Sequence, residues 1–314
     1  MLRQFGTTGL FVSPLCFGGN VLGWTIDAPT SAAVLDAFVA RGGNFIDTAD
    51  VYSRWAPGHV GGESEAILGD WMLARGHRAE LIIATKVGME MGDGPNMRGL
   101  SRQRIMRGVE DGLRRLKTDY IDILQSHADD PRTPQDETLR AYDDLVRQGK
   151  VRYIGASNFS AWRLMESLMV SERGGYVRYA SIQPRYNLVD RTDFERELEP
   201  MVLAHGIGVI GYSSLASGFL SGKYRRDTPL PESKRAGGVQ QRYMNERGFA
   251  VLDAVLRVAE SKGATPSQIA LAWLLQRRSV TAPIVSATSV AQLDELYGAT
   301  DVVLAAADVT ALEV

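Results

Sequence analysis

Tyr120-Ile121-Asp122-Ile123-Leu124-Gln125-Ser126-His127 is a short, mostly apolar run that closes on polar residues, and its form decides the fold. A run of this length, apolar almost throughout, suits a strand buried on both faces, as in a parallel sheet. The same form recurs on either side. Asn44-Phe45-Ile46 runs into Asp47, and Leu81-Ile82-Ile83-Ala84-Thr85 into Lys86. Further on, Val151 to Ala156 runs into Ser157-Asn158, Tyr179 to Ile182 into Gln183, and Gly208-Val209-Ile210-Gly211 into Tyr212-Ser213. Pro283-Ile284-Val285 comes last. An early run, Val12 to Phe17, follows a hairpin-like start whose turn is Gly6-Thr7-Thr8-Gly9.

Helical periodicity fills the gaps. Ser101 to Leu116 opens on a cap residue and lines up Ile105, Val109, Leu113 and Leu116. Asp136 to Arg147 repeats the pattern with Leu139, Tyr142, Leu145 and Val146. Asp193 to Ala204 and Arg247 to Lys262 do the same, with Gly206 and Gly263 as stop signals just past their ends. Strand starts recur about every 28 to 39 residues, the size of one βα unit, with no break in composition. Eight such units predict a (β/α)8 TIM barrel: a single domain over residues 1–314, with a short N-terminal hairpin and extra C-terminal helices. An open doubly wound sheet is the alternative. A polar loop is expected from Arg225 to Asn245.

Composition narrows the function. Of 314 residues, 45% are hydrophobic and 23% charged, which excludes bulk disorder and fibrous structure. Lys+Arg number 35 against 37 Asp+Glu, a net charge of -2, so neither nucleic acid nor an anionic membrane is an expected partner. The one cysteine, Cys16, lies in an apolar run and reads as a small buried hydrophobe. No signal core or membrane-length apolar stretch is present, so a cytoplasmic enzyme is expected.

In a barrel of this kind the active site gathers at the C-terminal ends of the strands. Asp47, Lys86, His127, Ser157-Asn158, Gln183 and Tyr212-Ser213 would all converge there. Each alone has an ordinary structural explanation, but together they point to a site. Asp47, Lys86 and His127 with nearby Tyr52 form an acid/base set. A free tyrosine titrates near ~10. An adjacent ammonium is expected to lower that value, and an aspartate to hold the ammonium charged and in place. Such a tyrosine would protonate a developing alkoxide while a histidine bonds the carbonyl oxygen. No metal-ligand spacing occurs. Gly206-Ile207-Gly208-Val209-Ile210-Gly211 matches the dinucleotide pattern, but a helix precedes it and a strand follows, the reverse of the required order.

These residues resemble the aldo-keto reductase family, most closely its branch with the potassium-channel β subunits and bacterial relatives. The motifs span nearly the whole chain: Leu15 to Gly19, Asn44 to Tyr52, Gly62-Glu63-Ser64-Glu65, Thr85-Lys86, Gln125-Ser126-His127, Ile154 to Phe159, Gln183 to Asn187, Tyr212 to Leu215, Gly218 to Tyr224 and Pro266 to Trp273. The resemblance implies a barrel holding a nicotinamide cofactor across its mouth and acting on a small carbonyl or alcohol substrate (an aldehyde, ketone or sugar). Tyr52 would be the general acid/base, Lys86 and Asp47 its tuning pair, and His127 the group orienting the carbonyl. Gly19, Asn20 and Asp47 would border the cofactor, and Ser157, Asn158 and Gln183 would hold its carboxamide. Tyr212 would stack on the ring. The loop from Ser213 to Lys223, with Leu215, Ser217 and Gly218, would wrap the diphosphate. Ser286, Thr288, Gln292 and Glu295 would meet the adenosine.

The segment Ser286 to Gln292 departs from the pattern in lacking the Lys or Arg that relatives set against a 2′-phosphate. NADP(H) stays the expected cofactor, with NAD(H) the alternative. Trp24, Trp55, Met89 and Asp129 are the expected substrate pocket, with Met91 nearby and Tyr243 folding over the mouth. Asp129 stands where relatives often carry Trp, which would suit a polar substrate. Two competing readings are a cofactor-binding redox sensor or regulatory subunit with little turnover, and a barrel lyase using Lys86 as a Schiff base. The lyase needs Lys86 free of Asp47. The sequence leaves the oligomeric state open.

Overall fold

The computed structural model describes residues 1–226 and 228–314. Its core is a parallel sheet of β3 (Cys16–Gly18), β4 (Phe45–Asp47), β5 (Ile82–Val87), β6 (Ile121–Ser126), β7 (Val151–Ser157), β8 (Tyr179–Gln183), β9 (Gly208–Val209) and β10 (Ile284–Val285). Neighbours follow chain order from β3 to β9, and β10 returns to lie beside β3. The ring closes where Ile284 N donates to Gly211 O at 2.8 Å and Thr281 N to Val209 O at 3.0 Å. An all-round parallel ring in chain order is the TIM-barrel topology and rules out the open sheet.

Helices α1 (Ala28–Ala40), α2 (Glu63–Arg75), α3 (Arg102–Leu116), α4 (Gln135–Arg147), α5 (Ala161–Gly174), α6 (Glu199–His205), α7 (Ala236–Tyr243), α8 (Glu246–Lys262), α9 (Pro266–Gln276), α10 (Val290–Tyr297) and α11 (Ala306–Leu312) surround it. Side-chain caps begin several of them, as Ser101 Oγ accepts from Arg104 N at α3. No helix is long and apolar enough to cross a membrane among the described residues.

Strand pleat sorts the barrel interior into layers, because residues two apart share a face. Cys16, Phe45, Ala84, Ile123 and Ile210 make an apolar lower layer. The antiparallel hairpin of β1 (Arg3–Gln4) and β2 (Phe11–Val12) packs Phe5 and Val12 beneath it, with Phe5 edge-on to Phe45 at 5.5 Å between ring centroids. Asn44 Oδ1 accepts from Ser13 N at 2.7 Å and fastens the hairpin. Two residues up from Phe45, Ala84, Ile123 and Ser181 stand Asp47, Lys86, Gln125 and Gln183. The interior is narrow: a Cβ on Gly155 would collide with Ser181 Oγ and come within 3.1 Å of Gln125 Cγ.

Three local expectations are corrected. The run from Val12 to Phe17 is two strands, because the chain bends at Pro14 and Leu15 between hairpin and barrel. The helix expected from Asp193 to Ala204 begins as a π-turn over Phe194–Leu198, since Pro200 has no N–H to continue regular α bonding. The stretch from Arg225 to Asn245 is no plain loop; it contains α7, which buries Val239 and Tyr243 on one face, Tyr243 stacking on Phe219.

Candidate active site

Asp47, Tyr52, Lys86 and His127 come together at the upper end of the barrel. Strands β4 and β5 are paired with Asp47 beside Ala84, which sets Asp47 and Lys86 on adjacent interior positions. Lys86 is fully buried. Its Nζ donates to Asp47 Oδ2 at 2.6 Å, Thr48 O at 2.9 Å and Tyr52 Oη at 2.8 Å, using all three ammonium protons. Tyr52 Oη in turn donates to Asp47 Oδ2 at 3.2 Å. An ammonium so committed cannot serve as a free Schiff-base amine, which removes the lyase reading. His127 and Trp55 stand edge-on to the Tyr52 ring, at 6.0 and 5.9 Å.

Gln125 belongs to the same cluster and was not among the expected site residues. Its Nε2 donates to Asp47 Oδ1 at 3.0 Å, and Gln183 Nε2 donates to the same oxygen at 2.8 Å. Both carboxylate oxygens are thus saturated, as a buried charge requires.

The electrostatics differ from expectation in one respect. Burial, with the negative charge of Asp47 next, pushes the Tyr52 hydroxyl well above its ordinary value rather than below it. Burial also lowers the Lys86 ammonium, opposed by Asp47. His127 is lowered to about 3, by burial first and the Lys86 charge second, so its imidazole is neutral. Its Nδ1 is buried without a partner. The tautomer with the proton on Nε2 avoids a stranded buried donor and offers an N–H to the cavity.

Above this cluster lies a cavity of about 880 Å³. Tyr52, Trp55 and His127 line it, with Ser157, Asn158, Gln183 and Tyr212 on the adjoining wall. Asn20, Ser213, Leu215, Ser217, Gly218 and Lys223 line it further along, and Ser286, Thr288, Gln292 and Glu295 close its far end. Gly19 lies behind that wall, its carbonyl accepting from Ser64 Oγ at 2.7 Å. Ser213, Ala216, Ser217, Gly218 and Gly222 all have positive φ, so the loop after β9 is a succession of left-handed turns. Ala216 N, Ser217 N and Gly218 N are taken up inside the loop, by Ser213 O, Ser213 Oγ and Leu215 O, and Lys223 brings a cation to the same wall.

The expected substrate pocket is only partly assembled. Trp55 lines the cavity and Trp24 backs it at 5.5 Å. Asp129 does not line the cavity; Arg163 Nε holds both its carboxylate oxygens, at 2.9 and 3.1 Å, on α5. Met89 lies outside the lining as well, exposed on the loop after β5, where its carbonyl accepts from Arg104. Tyr243 turns away and donates to Asp190 Oδ2 at 2.7 Å. Arg185, Lys234 and Arg235 line the cavity and were not foreseen. With its amide oriented to satisfy both ends, Asn20 donates to Ser286 Oγ at 2.7 Å and accepts from Arg235 Nη2 at 2.7 Å.

Comparison with known proteins agrees with this geometry. The chain is 37% identical over 305 residues to "Uncharacterized oxidoreductase YrpG" of Bacillus subtilis (strain 168), covering 95% of this chain and 90% of the relative. It is 34% identical to "Probable voltage-gated potassium channel subunit beta" of Arabidopsis thaliana, covering 96% and 91%. To "Aldo-keto reductase AFTS1" of Alternaria alternata it is 34% identical, covering 95% and 86%. The pattern of the Aldo/keto reductase family matches residues 14–314. The chain therefore belongs to the aldo/keto reductase family and is an NAD(P)-dependent carbonyl oxidoreductase.

Proposed function

We propose that the cavity reduces an aldehyde or ketone with Tyr52 as proton donor, and that NADP(H) is the preferred cofactor. The observation that carries the first part is Lys86 Nζ, fully buried and bonded at once to Asp47 and to the Tyr52 hydroxyl. A nicotinamide cofactor, when bound, supplies the hydride for the carbonyl carbon. Tyr52 holds a proton across the neutral range, which sets it for donation to the carbonyl oxygen. As that proton leaves, the Lys86 ammonium at 2.8 Å meets the growing phenolate charge. Asp47, pinned by Gln125 and Gln183, keeps the ammonium aimed at the phenol. Neutral His127 gives its N–H to the same substrate oxygen and orients the carbonyl.

The chain's residues suit a dinucleotide. Ser157 Oγ, Asn158 Oδ1 and Gln183 Oε1 offer acceptors beside Tyr212, and Lys223 with the hydroxyls of Ser213, Ser217 and Ser221 lines the wall that suits a diphosphate. Ser286 to Gln292 has no cation of its own, but Arg235 is joined to Ser286 through Asn20, and Lys234 lies on the same wall. That positive charge supports the 2′-phosphate form.

The test is a titration of wild type and Tyr52→Phe with NADPH and NADH, read by tryptophan quenching, alongside turnover of an aromatic aldehyde. Both proteins should bind NADPH equally and at least about tenfold more tightly than NADH, the size of one charge-assisted contact. Turnover should fall by about 10²- to 10⁴-fold in the variant. Unchanged turnover would remove Tyr52 as the donor, and equal affinity for the two cofactors would remove the NADP(H) preference.

A further inference from the structure

Arg185 follows Gln183-Pro184 at the end of β8 and reaches the wall of the same cavity. Its backbone is held firmly. Tyr212 N donates to Pro184 O at 2.9 Å and Tyr186 N to Tyr212 O at 3.3 Å, so Arg185 is bridged to Tyr212 as in a strand pair. Its guanidinium carbon stands 5.5 Å from the Tyr212 ring centroid. From there a hydrogen-bonded chain leads to the catalytic cluster. Tyr212 Oη donates to Asn158 Oδ1 at 2.9 Å, and Asn158 Nδ2 donates to the His127 carbonyl at 3.0 Å.

The side chain is only partly exposed, yet its Nε is buried without a hydrogen-bond partner. Among the described residues no carboxylate lies within 4.0 Å of its guanidinium. Four arginines of low exposure carry a carboxylate, Arg104 with Asp50, Arg115 with Glu65, Arg163 with Asp129 and Arg191 with Glu195, while Arg235, without one, is bonded to Asn20. Asp47 is committed to two amides and Lys86; of the two carboxylates lining the cavity, Glu295 accepts from Thr265 at 2.9 Å, and Glu232 makes no salt bridge to Arg185. A buried donor without a partner is costly, and a ligand that brings the acceptor would recover that cost. A planar guanidinium is matched by an oxyanion that can accept two parallel bonds.

Resting on the proposal that this cavity reduces a carbonyl, we infer that Arg185 is a specificity-determining residue that receives an oxyanion carried by the substrate. The substrate class is then an aldehyde or ketone bearing a carboxylate or phosphate. Lys223, Lys234 and Arg235 on the cavity wall are available to the cofactor's own phosphates. Arg185 instead stands beside Tyr212.

The experiment compares wild type, Arg185→Met and Arg185→Lys, each with NADPH. The probes are 4-carboxybenzaldehyde against 4-methylbenzaldehyde, and glyceraldehyde 3-phosphate against glyceraldehyde. Wild type should prefer the anionic member of at least one pair. In Arg185→Met its kcat/KM should fall roughly 10- to 100-fold, the range for one charged hydrogen-bonded contact, chiefly through KM. The neutral member should change less than about threefold. The Kd for NADPH should not move, and Arg185→Lys should restore part of the loss. Equal losses on both members of a pair, or a loss that tracks weaker NADPH binding, would overturn the inference. The second result would assign the oxyanion to the cofactor. If wild type turns over none of the four aldehydes, the carbonyl reading fails rather than this one. Benzoate against benzyl alcohol, titrated onto the NADP-loaded protein by fluorescence, then decides: benzoate binding lost in Arg185→Met upholds the anion site, and binding unchanged removes it.

Discussion

At Asp47 the two carboxylate oxygens are divided between the chemistry and its support. Oδ2 faces Lys86 and Tyr52, while Oδ1 is occupied by Gln125 and Gln183. Gln183 Nε2 also lies 3.2 Å from Gln125 Oε1, so the two amides brace one another. Gln125→Leu removes one donor from a buried carboxylate and frees it to swing away from Lys86. We expect kcat to fall about 10-fold with KM little changed, the share of a charged hydrogen bond felt in the transition state. Steady-state kinetics on a neutral aldehyde checks this, and an unaltered kcat would mean Gln183 alone fixes Asp47. Gln125 was hard to single out because it ends an apolar strand like any other polar residue. Its inward aim depends on Ile123, two residues earlier, facing the barrel floor. Asp129 misled for the opposite reason. It is a carboxylate close after His127 in sequence, but Arg163, a helix turn into α5, draws it off. Tyr52 lies beside Lys86 and Asp47 as its spacing suggests, but its ionisation runs the other way, because pairing is visible in a sequence and the depth of burial is not.

The elements that carried clear signals were those whose pattern comes from burial on both faces. Strands β4 to β8 fall where their apolar runs lie, each extended toward its polar end. Signals failed where a single residue sets the local geometry, as Pro200 does before α6, or where a short helix hides in a polar stretch, as α7 does. The family likeness located Gly62-Glu63-Ser64-Glu65, and the structure explains it. Ser64 Oγ bonds Gly19 O and lies 2.8 Å from Thr48 Oγ1, while Glu65 is bonded to Thr85 at 2.5 Å and to Arg115 at 2.7 Å. The motif is a clamp that sets α2 on the first three barrel strands. Arg104 on α3 does the matching work for the loops. It is bonded to buried Asp50 in the segment that carries Tyr52, and it also donates to the carbonyls of Met89 and Met97. Burial raises the Asp50 carboxyl to about 6 despite this partner. Arg104→Leu leaves that acid without a counter-charge, so a destabilisation of about 3–5 kcal/mol is expected. Urea unfolding monitored by circular dichroism measures it, and a midpoint equal to wild type would show that the pair contributes nothing.

For the molecule as a whole, His127 links the site to acid stability. Its folded-state pKa, about 3, lies below its ordinary value of 6.5, so the unfolded chain takes up a proton first as pH falls. The contribution is complete above about pH 6.5 and shrinks steadily toward pH 3, at about 1.36 kcal/mol per pH unit. Lowering the pH from 7.5 to 5 should therefore cost roughly 2 kcal/mol through this one group. Thermal unfolding at the two pH values should show a smaller difference in His127→Asn than in wild type, and an identical difference would dissociate His127 from the effect. The hairpin beneath the barrel has a consequence of another kind. Phe5 and Val12 pack under the apolar layer of Cys16, Phe45, Ala84, Ile123 and Ile210, so side chains plug the end of the barrel opposite the cavity. Damage to these two short strands would therefore be felt as lost packing under the barrel floor, at the opposite end of the molecule from the chemistry.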